Sequence, residues 1–302
     1  MKAIVFDRFG GTEVLHEADV EVPQPRPGQV RVRVRASGVN ALDGKIRSGA
    51  LEHVFPTPLP AVPGLEVAGV IDALGEGVTD LQVGDEVLGW SDTGSYAEYA
   101  LATTVAAKPA GLAWENAVAL PVAGETAERA LNLLGVAAGE TLLIHGAAGA
   151  VGTLAVQLAT ARGAHVIGTA GEANQEYLAS LGATATRYGE GLIERVRALA
   201  PAGVDAVLDV AGKGALEDSI TLRGGTERIV TLADFHAHQL GITFADGPQE
   251  RSADRLAALA QAAATGKIVT AVAAAHPLSR AATAQQVSDG GHVRGKLVLT
   301  LD

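Results

Sequence analysis

The rhythm of apolar and polar positions changes near residue 114. Before it, short runs alternate apolar with polar residues or sit between prolines and glycines: "KAIVF" from Lys2, "VRVRVRA" from Val30, "EVAGVIDAL" from Glu66, "DEVLG" from Asp85 and "SYAEYAL" from Ser95. These predict antiparallel, barrel-like β structure. Strict Val/Arg alternation over 30–35 reads as a half-buried strand with a solvated basic face rather than an anion-binding stripe. The stretch "VPQPRPG" over 22–28 is an extended loop. Beyond 114 the period lengthens. Helical segments over 115–134 lead into strand 141–147, helix 150–162, strand 165–170, helices 174–181 and 192–200, strand 204–210, helix 215–220 and strand 228–232. Such alternation predicts a doubly wound parallel sheet. A helix over 252–265 precedes strand-like stretches at 267–273 and 296–301, which need not belong to that sheet.

The most informative junction is "LLIHGAAGAVGTLAVQLA", from Leu142, where a buried strand passes into a helix with almost no side chains between. Small residues let the backbone approach a ligand closely, and a helix that starts there aims unpaired N–H groups and a partial positive charge at it. A phosphate suits that place. Against the dinucleotide fingerprint, Ala147, Gly149 and Gly152 fill the three small positions, Ala replacing the first Gly. A strand before it, a helix after it and βα units around it turn a weak motif into a dinucleotide-site expectation, with Ala148, Gly149, Ala150, Val151 and Gly152 against the pyrophosphate. Glu172 follows Gly152 by 20 residues, where the fingerprint expects an acid that binds ribose hydroxyls.

Composition narrows the chemistry. A formal charge of −11 disfavours nucleic acid, which needs a positive stripe to release counterions. No segment is uninterrupted enough to span a bilayer, and Asp7 and Arg8 interrupt the N-terminus before a signal region could form, so a soluble, cytoplasmic protein with no membrane partner is expected. With 302 residues and 48% hydrophobic content, two cores are expected. Zero Cys excludes disulfides, thiolate nucleophiles and sulfur-based zinc sites. His236 and His238 in "HAH" lack accompanying ligands and read as a loop, and His145 reads as a hydrogen-bonded structural residue.

Several motifs, in order, carry a family likeness: "GVNALDGKIRSG" from Gly38, "PGLEVAGVI" from Pro63, "VTDLQVGDEVLG" from Val78, "LPVAGETA" from Leu120, "AAGAVG" from Ala147 and "GHVRGKLVL" from Gly291. The chain resembles, over essentially its whole length, the quinone oxidoreductase (zeta-crystallin-like) branch of the medium-chain dehydrogenase/reductase superfamily. The resemblance implies an α/β fold with a GroES-like β-barrel catalytic domain, 1–113 completed by 261–302, and a doubly wound Rossmann parallel-sheet domain, 114–260, with the active site in the cleft between them. It also implies a homodimer that reduces quinones or enones with a nicotinamide cofactor.

Zinc-dependent relatives place Cys at the slot of Asn40, His at that of Leu65 and Cys near Val122 or Ala123, so no metal is expected here. By the same resemblance Asn40 sits where the substrate cleft meets the cofactor, with Thr126 and Arg294 beside the cofactor; with no metal to meet charge on the substrate oxygen, Asn40 and Lys45 are the candidate catalytic donors. Gly168 and Thr169 of "GTAG", Gln175 in a usual Lys position, and Tyr188 next to Arg187 form its NADP-side surroundings. Tyr188 favours NADPH and Glu172 favours NADH; NADPH is expected, with NADH the alternative. Two departures bear on substrate: the family's tyrosines after "GVN" align with Lys45 and Leu51, and Glu125 and Glu128 stand where apolar or aromatic residues are usual. Competing expectations are an enoyl-thioester reductase, for which no basic groove for a carrier phosphate can be located, and a non-catalytic NAD(P)H-binding regulatory or nucleic-acid-binding protein, against which the acidic charge weighs.

Overall fold

The computed structural model describes residues 1–245 and 251–301. The chain divides into one unit of Met1–Val122 with Arg251–Asp302 and a second of Ala123–Glu250.

In the first unit the long strand Val30–Val39 is the organising element, antiparallel to Glu66–Leu74, to Tyr99–Ala102 at its start and to Lys296–Thr300 at its end. Two register irregularities, between Arg31 and Val32 and between Val34 and Ala36, bend it so that it can serve different neighbours along its length. Its alternation is used as the sequence implies. Val30, Val32 and Val34 enter a core with Val67, Ile71 and Val87, while Arg33 is exposed and Arg31 is held on the other face by Asp72 at 2.9 Å.

The C-terminal strands join this sheet: Val272–Pro277 runs parallel to Lys296–Thr300, with the helix Ala281–Gly290 in the connection. The strand lies later than the expected 267–273 because Lys267 and Ile268 donate to the carbonyl of Ala262 and close the end of the helix Ala253–Ala264.

The helical segments expected over 115–134 are two helices, Trp114–Val118 and Pro121–Leu134. Pro121 has no N–H to continue the first and suits the opening turn of the second. The short helix packs on Val30–Val39 and Glu66–Leu74, and Ala253–Ala264 packs on Val105–Ala107. These contacts lie within the first unit, Met1–Val122 with Arg251–Asp302.

The second unit is a six-stranded, wholly parallel sheet in the order Thr184–Arg187, His165–Ala170, Thr141–His145, Ala206–Asp209, Ile229–Thr231, Thr243–Phe244. In sequence order that is 3-2-1-4-5-6, and the central strands are nearly continuous apolar runs, as a sheet covered on both faces requires. The order reverses at Thr141–His145, which places a ligand site beyond the carboxyl end of that strand. Among the described residues no helix is long and apolar enough to cross a membrane.

Candidate functional site

From His145 the chain turns through Gly146, whose φ of +73° an L side chain rarely adopts. The turn is closed by Gly149 N–H donating to the Gly146 carbonyl at 3.1 Å and docked by Ala147 N–H donating to the Thr169 carbonyl at 3.1 Å. The helix Ala150–Ala161 then starts from an extended Gly149 with no side-chain cap. Its first intrahelical bond runs from Thr153 N–H to the Gly149 carbonyl at 2.8 Å, so the amides of Ala150, Val151 and Gly152 form an uncapped first turn.

The two glycines do different work. A Cβ on Gly152 would press the Ala147 backbone, its Cα at 2.7 Å, whereas one on Gly149 would meet only the Gly146 carbonyl oxygen, at 3.5 Å. Gly152 lets helix and turn pack together. Gly149 leaves open space beside bare backbone amides, and that cradle fits a pyrophosphate. Gly168 belongs to the packing behind the turn, since a Cβ there would meet Ala147 Cβ at 3.0 Å and Leu178 at 3.1 Å. Ala148 is buried within it.

Thr169 is buried, its Oγ1 3.3 Å from His145 Nδ1, while His145 Nε2 lies 3.1 Å from Ser219 Oγ. Burial pushes the His145 pKa down, so the ring is held neutral within a hydrogen-bonded chain. At the ends of the neighbouring strands, Gln175 Nε2 donates to the carbonyls of Ala170 at 2.9 Å and of Gly171 and Thr186 at 3.3 Å. Its amide ties backbone together. The groups presented to solvent here are Tyr188, 55% exposed, and the Glu172–Arg187 pair at 3.1 Å. Thr126 donates to Glu125 at 3.4 Å, and Glu125, the acid at a usually apolar position, pairs with Arg129 at 2.7 Å.

Sequence reasoning passed over Asp209 and Thr231. Asp209 Oδ1 accepts from the amides of Ala211 at 3.0 Å and Gly212 at 3.1 Å, and its Oδ2 accepts from the Thr231 hydroxyl at 2.8 Å. The Thr231 oxygen accepts in turn from the amides of Ala233 and Asp234, each at 3.2 Å. One buried carboxylate thereby fixes two loops at the carboxyl edge, and Gly146 packs against the first of them at Ala211. A polar residue closing an apolar strand, in "VLDVAG", is the signal that could have found it.

In the first unit Asn40 begins the helix Ala41–Arg47. Its N–H donates to Asp43 Oδ2 at 2.8 Å, which also accepts from the Tyr96 hydroxyl at 3.1 Å. The Asn40 side chain faces a different acid: Nδ2 donates to Glu66 Oε1 at 2.9 Å, and Oδ1 accepts from Lys296 Nζ at 2.6 Å. Glu66 and Lys296 form a close ion pair with side-chain exposures of 0% and 2%, and Glu66 Oε2 accepts from Val122 N–H at 2.8 Å. Lys45 is half-buried on the same helix, Arg294 is exposed, and Leu51 is buried. Among the described residues no three His, Cys, Asp or Glu side chains group as a metal site.

Asp43 is 3% exposed, and burial pushes its pKa up to about 7 against the pull of the Asn40 N–H, Lys296 and Tyr96. Between about pH 4 and 7 the folded protein therefore keeps a proton that the unfolded chain has released, so this group makes stability fall as pH rises through that window and level off above it. Asp43→Asn should remove the slope. Thermal unfolding from pH 5 to 8 should show the variant gaining on the parent toward the alkaline end, on the order of 5 °C. His145, depressed by burial, contributes a slope of opposite sign below its ordinary value, but it does so in both proteins and cancels in the comparison. A constant difference across the range would contradict the assignment.

The family model "Alcohol dehydrogenase GroES-like domain" matches residues 26–113, and the model "Zinc-binding dehydrogenase" matches residues 150–246. The chain is 32% identical to a quinone oxidoreductase of Sus scrofa over 100% of its own length and 98% of the relative's. It is 36% identical to a 2-methylene-furan-3-one reductase of Solanum lycopersicum, over 77% of the chain and 63% of that protein. A mycobacterial structure complexed with NADPH superposes with a TM-score of 0.87 at 30% identity, over 100% of both chains.

Proposed function

The chain belongs to the quinone oxidoreductase branch of the medium-chain dehydrogenase/reductase superfamily, and from that membership we propose that it reduces a quinone or an α,β-unsaturated carbonyl with NADPH and without a metal. The observation that carries the reading is the open backbone cradle at Gly149, which a dinucleotide's pyrophosphate fits and which a Cβ would fill. When bound, the nicotinamide supplies a hydride from C4. The protein's part is to hold the pyrophosphate on the uncapped amides of Ala150, Val151 and Gly152, to place Thr126 and Arg294 toward the rest of the cofactor, and to meet the negative charge that develops on the substrate oxygen. For that last task Asn40 keeps one amide N–H beyond the bond to Glu66, and Lys45 is the second candidate donor. The proton comes from water or the cofactor ribose.

A zinc ion does not fit these residues. Leu65 has no ligating atom, the chain has no Cys, and the Glu66 carboxylate is committed to Lys296, Asn40 and the Val122 amide. Activity should survive exhaustive chelation unchanged; a loss restored by added zinc would contradict this. An already electrophilic quinone or enone needs no Lewis acid, whereas a simple alcohol would.

NADPH is preferred on the strength of Arg187 and Tyr188, with Glu172 opposing because its carboxylate both pairs with Arg187 and repels a 2′-phosphate. Glu172→Gln should tighten NADPH about threefold and weaken NADH, since an exposed pair is worth only a fraction of a kcal/mol to about 1 kcal/mol. Competition titration reads both, and equal or tighter NADH binding by the parent reverses the preference. The same reading extends to a cytoplasmic homodimer with no nucleic-acid partner. It is tested by loss of NADPH absorbance with a panel of quinones and enones set against acyl thioesters: turnover of thioesters alone, or of nothing, would overturn it.

A further inference from the structure

Two buried charges in the first unit lie beyond the groups assigned above. Glu66 and Lys296 are nearly inaccessible, and a buried ion pair usually costs more desolvation than its attraction returns. Their arrangement around Asn40 gives them a use. Lysine can only donate and an ionised carboxylate can only accept, so Lys296 Nζ at 2.6 Å from Oδ1 and Glu66 Oε1 at 2.9 Å from Nδ2 fix which way the Asn40 amide points. One N–H is bound to Glu66; the other has its direction set by the same two contacts. The ammonium at the amide oxygen also draws electron density toward that oxygen and strengthens the remaining N–H as a donor, an effect that dry surroundings enlarge.

The bond from Val122 N–H to Glu66 Oε2 completes the group, which gathers Asn40, the neighbour of Leu65, and Val122. By the family resemblance, zinc-dependent relatives carry ligands at the slots of Asn40 and Leu65 and near Val122 or Ala123, around this group.

We propose that Lys296 and Glu66 are positioning residues that orient and polarise the Asn40 amide toward the substrate oxygen, a role that rests on Asn40 being the oxyanion donor.

The test is a double-mutant cycle. Removing one charge alone would orphan the other, so Lys296→Gln and Glu66→Gln are made together, keeping hydrogen-bonding groups and no charge. Enone kcat should fall by about tenfold or more, with the KM for NADPH unchanged and a smaller loss on a quinone. In an Asn40→Ala background the pair should cost less than about twofold further, because its effect passes through an amide no longer there. Lys296→Arg, which keeps the cation, should hold enone kcat within about threefold of the parent. It serves as the deciding variant if the neutral pair does not fold, and an equal drop of tenfold or more on both substrates in that variant would overturn the proposal. An additive loss in the Asn40→Ala background, or full enone kcat in the neutral pair, overturns the positioning role alone. An Asn40→Ala protein with intact enone kcat instead removes Asn40 from the mechanism and the positioning role with it.

Discussion

Gly149→Val is expected to abolish dinucleotide binding while the protein stays folded. The backbone at this residue, φ −73° and ψ 175°, is extended and open to any side chain, and the new Cβ would meet only the Gly146 carbonyl oxygen, at 3.5 Å. The fold therefore loses little. The branched methyls instead occupy the space through which a pyrophosphate reaches the amides of Ala150 and Val151, and affinity should fall by about 100-fold or more. Gly152→Ala is the contrasting case: its Cβ would collide with the Ala147 backbone, so the melting temperature should drop before any binding can be measured. Fluorescence titration with NADPH alongside a thermal melt separates the two. An unchanged titration for Gly149→Val would remove the cofactor from this turn.

Asn40→Ala should cost a weakly activated enone about 10²–10³ in kcat and a reactive quinone roughly tenfold or less. The asymmetry follows from the chemistry. Charge on the enone oxygen must be met by a placed donor, whereas a quinone accepts hydride readily and its product oxygen is more easily solvated. Lys45→Ala should follow the same pattern, at a smaller scale, if its ammonium serves the same oxygen. Steady-state rates on a matched substrate pair decide it. Equal losses on both would mean that Asn40 positions substrate without stabilising charge, and complete inactivity toward quinones would mean that an essential acid lies elsewhere.

What could be read along the chain was whatever depends on neighbours in sequence. The strand Thr141–His145, the turn after it and the helix Ala150–Ala161 follow from an apolar run, small residues and a second apolar period within about 20 positions. The alternation in Val30–Val39 likewise announced its own two faces. The parts that escaped depend on residues far apart. Asn40 and Lys296 are 256 positions from each other, and nothing local to "GHVRGKLVL" says that its lysine will be buried against a glutamate from another strand. Gln175 Nε2 donates to carbonyls at the ends of two strands and Thr169 Oγ1 lies 3.3 Å from His145 Nδ1, contacts that no local pattern in the chain announces. The strand at Val272–Pro277 was displaced for a related reason: the preceding residues were already engaged in ending a helix.

The most direct test is isotope transfer. Chelator-treated protein is mixed with NADPH carrying deuterium at both C4 positions and a simple enone, and the product is examined by mass spectrometry and NMR. The account predicts one deuterium on the β-carbon of the saturated ketone, formed at the rate of the untreated protein. Unlabelled product, or turnover that vanishes on chelation and returns with zinc, would contradict it.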